Sequence, residues 1–503
     1  MSWKYAFSLS KQEVKDATPP GTVRLVAHDP TDVEHHHDAI VKFPIPSADP
    51  ADPLNWPAWR KAAVLFVASL YAFVANYCSS TIAPALQLWF TTFPNEPKPF
   101  SKLTQLIAVN ILMLGAANLW WVPLSNWAGR RPILLVATLL MTLCGIGGAA
   151  ADTVAPALVG DVYFVDEQGR AMAIYTVMLS CGSIVGGIAG GYIGFRLGWA
   201  YLFWVSVALS AACFLGVFFL VPETLYDRPA PPVQPSTPSE SGEKKEVEAN
   251  HDEETRAETY RPFTFPRSLT FGPIRGNLVS LFIQPWRTLA LPGTWVVMLQ
   301  YAGLVGGVIT ISIIGAQLVS MPPYTWGAHT GLINIGGIIG ALLGCVYTYV
   351  LSDLLLRNRA KHDKHGLSEP EDRLPAVFFP LTLATCGFFI FGFCGQYPGE
   401  NRWVGLQFGY GMIAFGLMQA PSIGFNYLFD SYGRLAPDCF VVVTILRSVI
   451  AFAWTFFVSD WIQLRGAAEV FGILGMLMGI FGLLTVPLWL FGKRMRIARA
   501  YSN

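Results

Sequence analysis

Eleven long apolar runs constrain the fold of this chain more than any other feature. Each holds about 20 residues or more, enough for one α-helix to cross the roughly 30 Å hydrocarbon core of a bilayer. Inside lipid the backbone must bond to itself, so the runs predict helices and an all-α polytopic membrane protein. The runs cover residues 62–87, 103–125, 132–151, 171–194, 199–221, 295–318, 326–351, 374–395, 403–427, 437–459 and 468–491.

The composition agrees with a membrane protein. Only 13% of the residues are charged, whereas a soluble domain carries about 25%. The net charge is +1, so nucleic-acid binding is not expected. We expect membrane lipid and a small-molecule substrate as partners, and a monomeric chain.

The basic residues of the connecting loops set the orientation. The positive-inside rule places the basic loops and both termini in the cytosol. The basic loops include Arg60 and Lys61, the pair Arg130 and Arg131, the stretch "RNRAKHDKHGLSEPEDR" and the final "GKRMRIARA". The predicted division is a cytosolic tail at 1–60, a helix bundle at 61–222, a cytosolic central loop at 223–291, a second bundle at 292–492 and a cytosolic tail at 493–503.

The central loop has two parts. The stretch "PAPPVQPSTPSESGEKKEVEANHDEETRAE" is rich in Pro, Ser and charge, and we expect it to be disordered. The following "SLTFGPIRGNLVSLFIQPWRTLALPG" mixes Arg with Phe, Leu and Trp, which is typical of a segment along the membrane surface. The loop separates two helical halves of similar size. This arrangement suggests a duplicated transporter with a site between the halves near the midplane.

Two motifs resemble signatures of the major facilitator superfamily. "VPLSNWAGRRP" resembles the loop motif G-x-x-x-D-x-x-G-R-R through Gly129, Arg130 and Arg131, with Asn126 in place of the aspartate. "GSIVGGIAGG" resembles the antiporter motif G-x-x-x-G-P-x-x-G-G of the fifth span. Its matching residues are Gly182, Gly186, Gly190 and Gly191, with Gly187 in place of the proline. Topological anchoring and close helix packing are the alternative roles of these two motifs.

Further stretches narrow the resemblance to the fungal drug:proton antiporter branch. They are "DPADPLNWPAWRK", "SEPEDRLP" and "VPLWLFGKRMR". Asp353, before Arg357 and Arg359, resembles a weaker second copy of the loop motif, although a plain helix end explains it equally well. The resemblance implies two six-helix bundles that alternate access to a central site, with the loop motif as a latch and the glycine motif as a hinge. It also implies proton exchange, with no bound cofactor or metal.

The fourth of the twelve spans that the resemblance implies is too short. Residues 152–165 number fourteen and contain Asp152, Pro156 and Asp161. A helix of that length covers about 21 Å, less than the hydrocarbon core. We therefore expect that about 20 residues are deleted, which would leave eleven complete spans and an impaired isoform. The alternative is a short, tilted or re-entrant span.

Polar residues inside apolar runs are the candidate site residues, since they are costly in lipid. Arg447 is the clear full charge deep within a run and needs a partner, which would be structural or a bound anion. Carboxylates able to carry a proton are few. The cavity candidates are Asn76, Tyr77, Asn110, Tyr301, Asn334, Gln419 and Arg447, and Gln300 and Tyr301 lie nearer the cytosolic end of their span. The proton-coupling candidates are Asp152, Asp161 and Asp430, all near expected span ends.

The function that follows is export of small organic molecules such as drugs, toxins or secondary metabolites. The expected location is the plasma membrane, or alternatively the vacuolar membrane. An importer of polyamines or cations would have more carboxylates in its cavity, and a non-functional or sensor isoform is a further alternative. Neither an ATP-binding motif nor a metal or nucleophile motif of an enzyme is found, so an ATP-driven pump and an enzyme are not expected.

Overall fold

The computed structural model describes residues 49–86, 100–144, 146–226, 277–362 and 367–500, together with short pieces between residues 7 and 47. Helices dominate these residues, which confirms the all-α membrane class. Within the described residues, nine helical segments are long and apolar enough to cross a bilayer. The "PAPPVQP" part of the central loop lies outside the described residues.

The N-terminal half begins after a short 3-10 helix at Pro53–Asn55. Pro123 lies inside its fourth helix, and positive-φ glycines separate the helices at 129 and 198. Such a φ favours glycine, which has no Cβ, and it makes these breaks sharp. The helices are α1 (Ala58–Ser80), α2 (Ile82–Ala85), α3 (Phe100–Ala116), α4 (Asn118–Ala128), α5 (Arg130–Cys144), α6 (Val154–Val162), α7 (Val165–Leu197) and α8 (Trp199–Leu220).

The shortened fourth span differs from the expectation in where it begins. The run expected at 132–151 ends as a helix at Cys144, and the chain returns through a 3-10 helix at Ile146–Asp152 and through α6. Seven 3-10 residues and nine α residues cover about 28 Å. Arg130 Nε lies 2.9 Å from Asp161 Oδ2, so the return segment ends beside the start of α5. The chain therefore recrosses here despite its short length.

A glycine makes this compact return possible. A Cβ on Gly147 would overlap the carbonyl oxygen of Ala137 in α5. The side chains of Ala149, Ala150 and Ala151 are completely buried. Small residues allow the 3-10 helix to pack directly against the neighbouring backbone, as in other membrane helix interfaces.

The C-terminal half repeats the helical layout. Its helix Trp403–Tyr432 is 30 residues long and mostly covered by neighbouring helices, so it needs less apolar surface than a lipid-facing span. A π-helical turn, Ile311–Gly315, joins its second and third helices. The helices are α9 (Leu278–Arg287), α10 (Pro292–Thr310), α11 (Ala316–Ser320), α12 (Ile335–His362), α13 (Pro375–Gln396), α14 (Trp403–Tyr432), α15 (Ala436–Arg465), α16 (Ala467–Leu483) and α17 (Thr485–Ala500). Further 3-10 turns cover Thr288–Ala290, Gly327–Asn334, Pro370–Arg373 and Gly433–Leu435.

The two halves meet along their long helices. α3 packs against α15, and α7 packs against α12 and α14. Each half has its own buried core, while residues such as Leu143, Trp204 and Phe408 expose their side chains on the outside. Exposed apolar side chains in this number fit a surface that lipid covers.

The N-terminal tail and the membrane-surface segment lie near the Arg130 end of the helices. β1 (Val23–Arg24) pairs with β4 (Leu367–Ser368), and β2 (Val26–Ala27) pairs with β3 (Ala39–Ile40), both antiparallel. α9 packs against α4 and α15, with the ring of Phe282 5.2 Å from that of Trp120. The segment expected along the membrane surface thus forms a short helix against both halves.

Candidate functional site

A cavity lies between the two halves. About 80 Å³ of it is open to the centre of a water-sized sphere, and it is lined mainly by α1, α3 and α7 from the first half and by α10, α14 and α15 from the second. This is below the roughly 300–1,000 Å³ of sites for drug-sized ligands, so the cavity is narrow in this conformation. Most of its lining is Ile, Leu, Val and Ala. The polar lining residues include Asn76, Ser180, Tyr301, Arg447 and Ser448.

Arg447 reaches from α15 across to the first half. Its Nη2 donates to Asp152 Oδ2 at 2.6 Å, and both side chains are at least nine-tenths buried. The guanidinium carbon lies 4.6 Å from the centre of the Tyr301 ring. Asn76 lies beside the Asp152 carboxylate. An ion pair at the wall of the cavity therefore links one half to the other.

Asp152 owes its position to the 3-10 helix of the return segment. The Tyr71 hydroxyl donates to the carbonyl of Gly147, and the Tyr175 hydroxyl donates to the carbonyl of Ala151. Buried carbonyls need such partners. Asp152 was expected near the end of a span, but the early end of α5 puts it inside the fold.

The two halves also contact each other at both ends of the helices. At the Arg130 end, the ring of Phe429 packs so close to Gly160 that an added Cβ would lie 3.0 Å from it. At the opposite end, the Tyr192 hydroxyl lies 2.8 Å from His329 Nδ1. The two contacts join α6 to α14 and α7 to the 3-10 turn before α12.

A charged cluster holds the Arg130 end of the first half together. Arg130 pairs with Asp161, and the Glu223 carboxylate accepts from the backbone N–H groups of Arg130 and Arg131 at 3.0 and 3.2 Å. Arg131 Nη2 also donates to the Phe218 carbonyl at 2.9 Å. A carboxylate at the first turn of α5 is favourable because unpaired N–H groups and the helix dipole meet it there. The cluster joins α5, α6 and the chain after α8.

The second half carries a similar cluster. Arg373 Nε lies 2.9 Å from Asp430 Oδ2, just before α13 and near the end of α14. Arg130 and Asp161 occupy the matching positions at the start of α5 and near the end of α6. Glu371 accepts two hydrogen bonds from Arg496 on α17, at 2.6 and 2.9 Å. The repeat of this pair supports a duplicated fold.

Comparison with known families decides the assignment. The family model described as Major Facilitator Superfamily matches residues 138–485, more than half of the chain.

The chain belongs to the Major Facilitator Superfamily.

Known members of the superfamily resemble the chain along most of its length. An uncharacterized MFS-type transporter of Schizosaccharomyces pombe is 25% identical, over 95% of this chain and 92% of its own. The efflux pump radE of Floropilus chiversii is 24% identical, over 89% of this chain and 83% of its own. The solved structure of the proton:xylose symporter XylE shares the fold with a TM-score of 0.58, at 15% identity over 89% of this chain and 100% of that one. The protein is thus a multi-pass membrane protein of a transporter family, not an enzyme.

The superfamily loop motif forms the break between α4 and α5. Gly129 has a φ of +105° and lets α5 begin at once with Arg130 and Arg131. Asn126, at the position of the superfamily aspartate, is half-buried near the end of α4. The cluster described above gives both arginines acidic or carbonyl partners without that aspartate. The side chain of Asp353 lies outside the described residues.

The glycine motif brings α7 against α1. Added Cβ atoms on Gly182, Gly186 and Gly190 would overlap the backbone of Phe73, Tyr77 and Thr81. Gly187 faces the second half, where a Cβ would lie 2.6 Å from the Asn334 amide. Gly191 is buried in the same helix. The motif therefore provides close helix packing, and its role as a hinge stays a prediction.

The cavity candidates do not all share one place. Asn76, Tyr301 and Arg447 line the central cavity, whereas Asn110 lines a separate side cavity within the first half. The remaining candidates do not line the central cavity: Gln419 and Gln300 hold helices together, whereas Asn334 and Tyr77 contact residues of their own helical segment. Gln419 bonds to Thr348 and to the Gly344 carbonyl, Gln300 to Thr485 and the Phe481 carbonyl, Asn334 to the Gly331 carbonyl, and Tyr77 stacks on Phe73.

Sequence reasoning missed several residues of these sites. Glu223 and Glu371 cap or pair with basic residues far away in the chain, and no local spacing marks such contacts. Arg373 lies in "SEPEDRLP", a stretch that carries the family resemblance but does not indicate a partner for its arginine. The three expected proton-coupling carboxylates, Asp152, Asp161 and Asp430, each pair with an arginine.

Proposed function

We propose that this protein is a proton-coupled secondary-active exporter of small organic molecules that works by alternating access. The observation that carries the proposal is the central cavity with the Arg447–Asp152 pair across it. Both halves line the cavity, so rocking of one half against the other would open it to one side of the membrane at a time.

The two end contacts fit this motion. Phe429 against Gly160 closes the Arg130 end, and Tyr192 with His329 closes the other. Opening the cavity to either side requires that one contact break while the other holds. The positive-inside rule makes the Arg130 end the cytosolic end in this proposal.

The Arg447–Asp152 pair is the proposed coupling element. Asp152 belongs to the first half and Arg447 to the second, so a change in their separation accompanies the motion of the halves. A lone carboxylate is costly inside the protein, so Asp152 takes up a proton from water when the pair opens. When Arg447 returns, the proton leaves Asp152 to water. One proton is thereby moved for each cycle of opening.

The charged cluster at Arg130 has a different proposed role. Its members Arg130, Asp161 and Glu223 all belong to the first half, so the cluster makes that half move as one body. In this proposal the latch is the contact of α6 with Phe429, and the cluster keeps α6 in place for it.

Two observations support export of organic molecules over import of cations. The cavity lining contains no carboxylate among the described residues, whereas a cation site would use one. The relative radE is named an efflux pump. The apolar lining suits a substrate with an apolar body. The plasma membrane is the proposed location.

The proposal is tested by measuring accumulation of fluorescent probes in yeast cells that express the protein. The probes are rhodamine 6G, Nile red and fluorescein, which are cationic, neutral and anionic. We expect lower accumulation of at least one probe than in cells with an empty vector, and loss of this difference when a protonophore is added. Cells expressing Arg447→Gln at equal abundance should resemble the empty vector.

Other outcomes would overturn the proposal. Higher accumulation would indicate an importer, and no change for any probe would favour an isoform that the short fourth span has disabled. Probe movement into sealed vesicles that requires ATP, with no ion gradient present, would indicate an ATP-driven pump.

A further inference from the structure

Arg447 is the feature of the central cavity from which the substrate class can be inferred. It is the one charged residue among the described residues that line the cavity. Its partner Asp152 comes from the 3-10 helix behind the lining and is not itself among the lining residues. A molecule in the cavity therefore meets the guanidinium first, while the Asp152 carboxylate lies behind it.

The guanidinium has hydrogen-bonding capacity to spare. Asp152 accepts from Nη2, while the buried Nε has no hydrogen-bond partner in the described part of the chain. A guanidinium carries five N–H donors in a fixed fork, and a carboxylate can accept two of them side by side. The hydrogen bond to Asp152 uses Nη2, so the Nε–H group of Arg447 is available to donate to a second acceptor.

The surroundings of Arg447 suit a compact anionic group. The Tyr301 ring covers one face of the guanidinium. The Ser180 hydroxyl is also buried in the lining without a partner among the described residues. Ser448 follows Arg447 on α15, and Asn76 faces them from α1. The rest of the lining is aliphatic apart from four further serines, Ser79, Ser80, Ser183 and Ser312.

We propose that the central cavity binds a small amphipathic organic anion, with a carboxylate bound by Arg447 and the apolar body against the aliphatic lining. The anion competes with Asp152 for the guanidinium, so its binding frees Asp152. The inference rests on the proposed function, because it names the class of substrate that the same cavity would bind and transport.

Binding of three matched probes to the purified protein in nanodiscs tests the inference. The probes are 9-anthracenecarboxylate, 9-anthracenecarboxamide and 9-(aminomethyl)anthracene, and the dissociation constants come from anthracene fluorescence at pH 7 without an ion gradient. A charge-assisted hydrogen bond is roughly twice as strong as a neutral one. We expect the carboxylate to bind at least about tenfold more tightly than the amide, and the amine to bind weakest.

Variants separate a direct role of Arg447 from a structural one. Arg447→Gln should remove the preference for the carboxylate. Asp152→Asn should tighten binding of the carboxylate and leave the amide unchanged, because the competing charge is gone. If Arg447→Gln does not fold, the double variant with Asp152→Asn removes both charges and should also show no preference. The matched control is Arg373→Gln with Asp430→Asn, which removes a buried pair outside the cavity and should keep the preference.

Three results would overturn the inference. These are equal or tighter binding of the amide or the amine, survival of the carboxylate preference without Arg447, and absence of binding by all three probes up to millimolar concentration. The proposed function can fail while this inference about the binding site holds. A carboxylate preference in nanodiscs together with no export from cells would leave the anion site standing and refute transport.

Discussion

The Arg447–Asp152 pair should show a large coupling energy in a double-mutant cycle. The change is Arg447→Gln, Asp152→Asn and both together. The side chains are 7% and 4% exposed and the two atoms are 2.6 Å apart. Removing one partner of such a buried pair costs about 3–5 kcal/mol, because the other charge remains uncompensated. Removing both avoids that cost, so we expect a coupling of about 2–3 kcal/mol.

The same cycle on Arg130 and Asp161 provides a matched comparison. That pair has a separation of 2.9 Å, but the Asp161 side chain is 24% exposed. Water can therefore solvate the carboxylate when Arg130 is replaced, and the expected coupling is about 1 kcal/mol or less. We therefore expect the larger coupling energy for the Arg447–Asp152 pair. The reason is the deeper burial of its carboxylate more than its shorter distance.

The free energies of unfolding are measured in mixed micelles with an increasing fraction of dodecyl sulfate, and tryptophan fluorescence reports the unfolding. The double variant should be more stable than Arg447→Gln alone. Additive losses at Arg447 and Asp152, or a coupling there no larger than that of Arg130 and Asp161, would refute the reasoning from burial.

Three further predictions address packing and capping. Gly147→Ala should sharply lower the yield of folded protein, because the added Cβ overlaps a backbone oxygen of α5. The control Gly306→Ala should not lower it, since no atom lies within 4 Å of that Cβ. The yield of monodisperse protein in size-exclusion chromatography measures both effects. Glu223→Gln should lower the free energy of unfolding by about 0.5–1 kcal/mol in the micelle assay, because the helix dipole of α5 loses a charge; an unchanged value would contradict the capping role. Gln419→Leu should destabilise the protein by about 1–3 kcal/mol, because Thr348 loses a buried hydrogen-bond partner. The dissociation constants of the anthracene probes should stay unchanged. Weaker probe binding would instead indicate that Gln419 contributes to the cavity.

The helices were predictable because hydrophobic length is a local property. Each apolar run from 62–87 to 468–491 gives a helix in the structure, since a backbone in lipid has few alternatives. The run 132–151 differs, because its α-helix ends at Cys144 and its last residues belong to the 3-10 helix of the return segment. Its glycines and alanines are apolar enough to extend the run, so hydropathy alone does not reveal the turn.

The site was predictable only in part, because partner choice is not local. The charge of Arg447 inside an apolar run is enough to mark it as a functional or paired residue. Its partner Asp152 lies 295 positions away, and periodicity carries no information about such a contact. Asn110 and Gln419 fit the same polar-in-membrane rule as Asn76, but only packing shows that they face a side cavity or a neighbouring helix.

The short fourth span and the ion pair have one structural cause. Asp152 reaches Arg447 because the return segment begins at residue 146 as a 3-10 helix, which in turn depends on the contact of Gly147 with α5. If the shortening disabled the protein, Asp152 would serve stability alone, and a folded Asp152→Asn variant would behave as the parent does in cells and in nanodiscs. If the pair couples proton and substrate, the same variant should bind the carboxylate probe more tightly while its export no longer depends on the proton gradient. The two views of the short span therefore predict opposite results from one substitution.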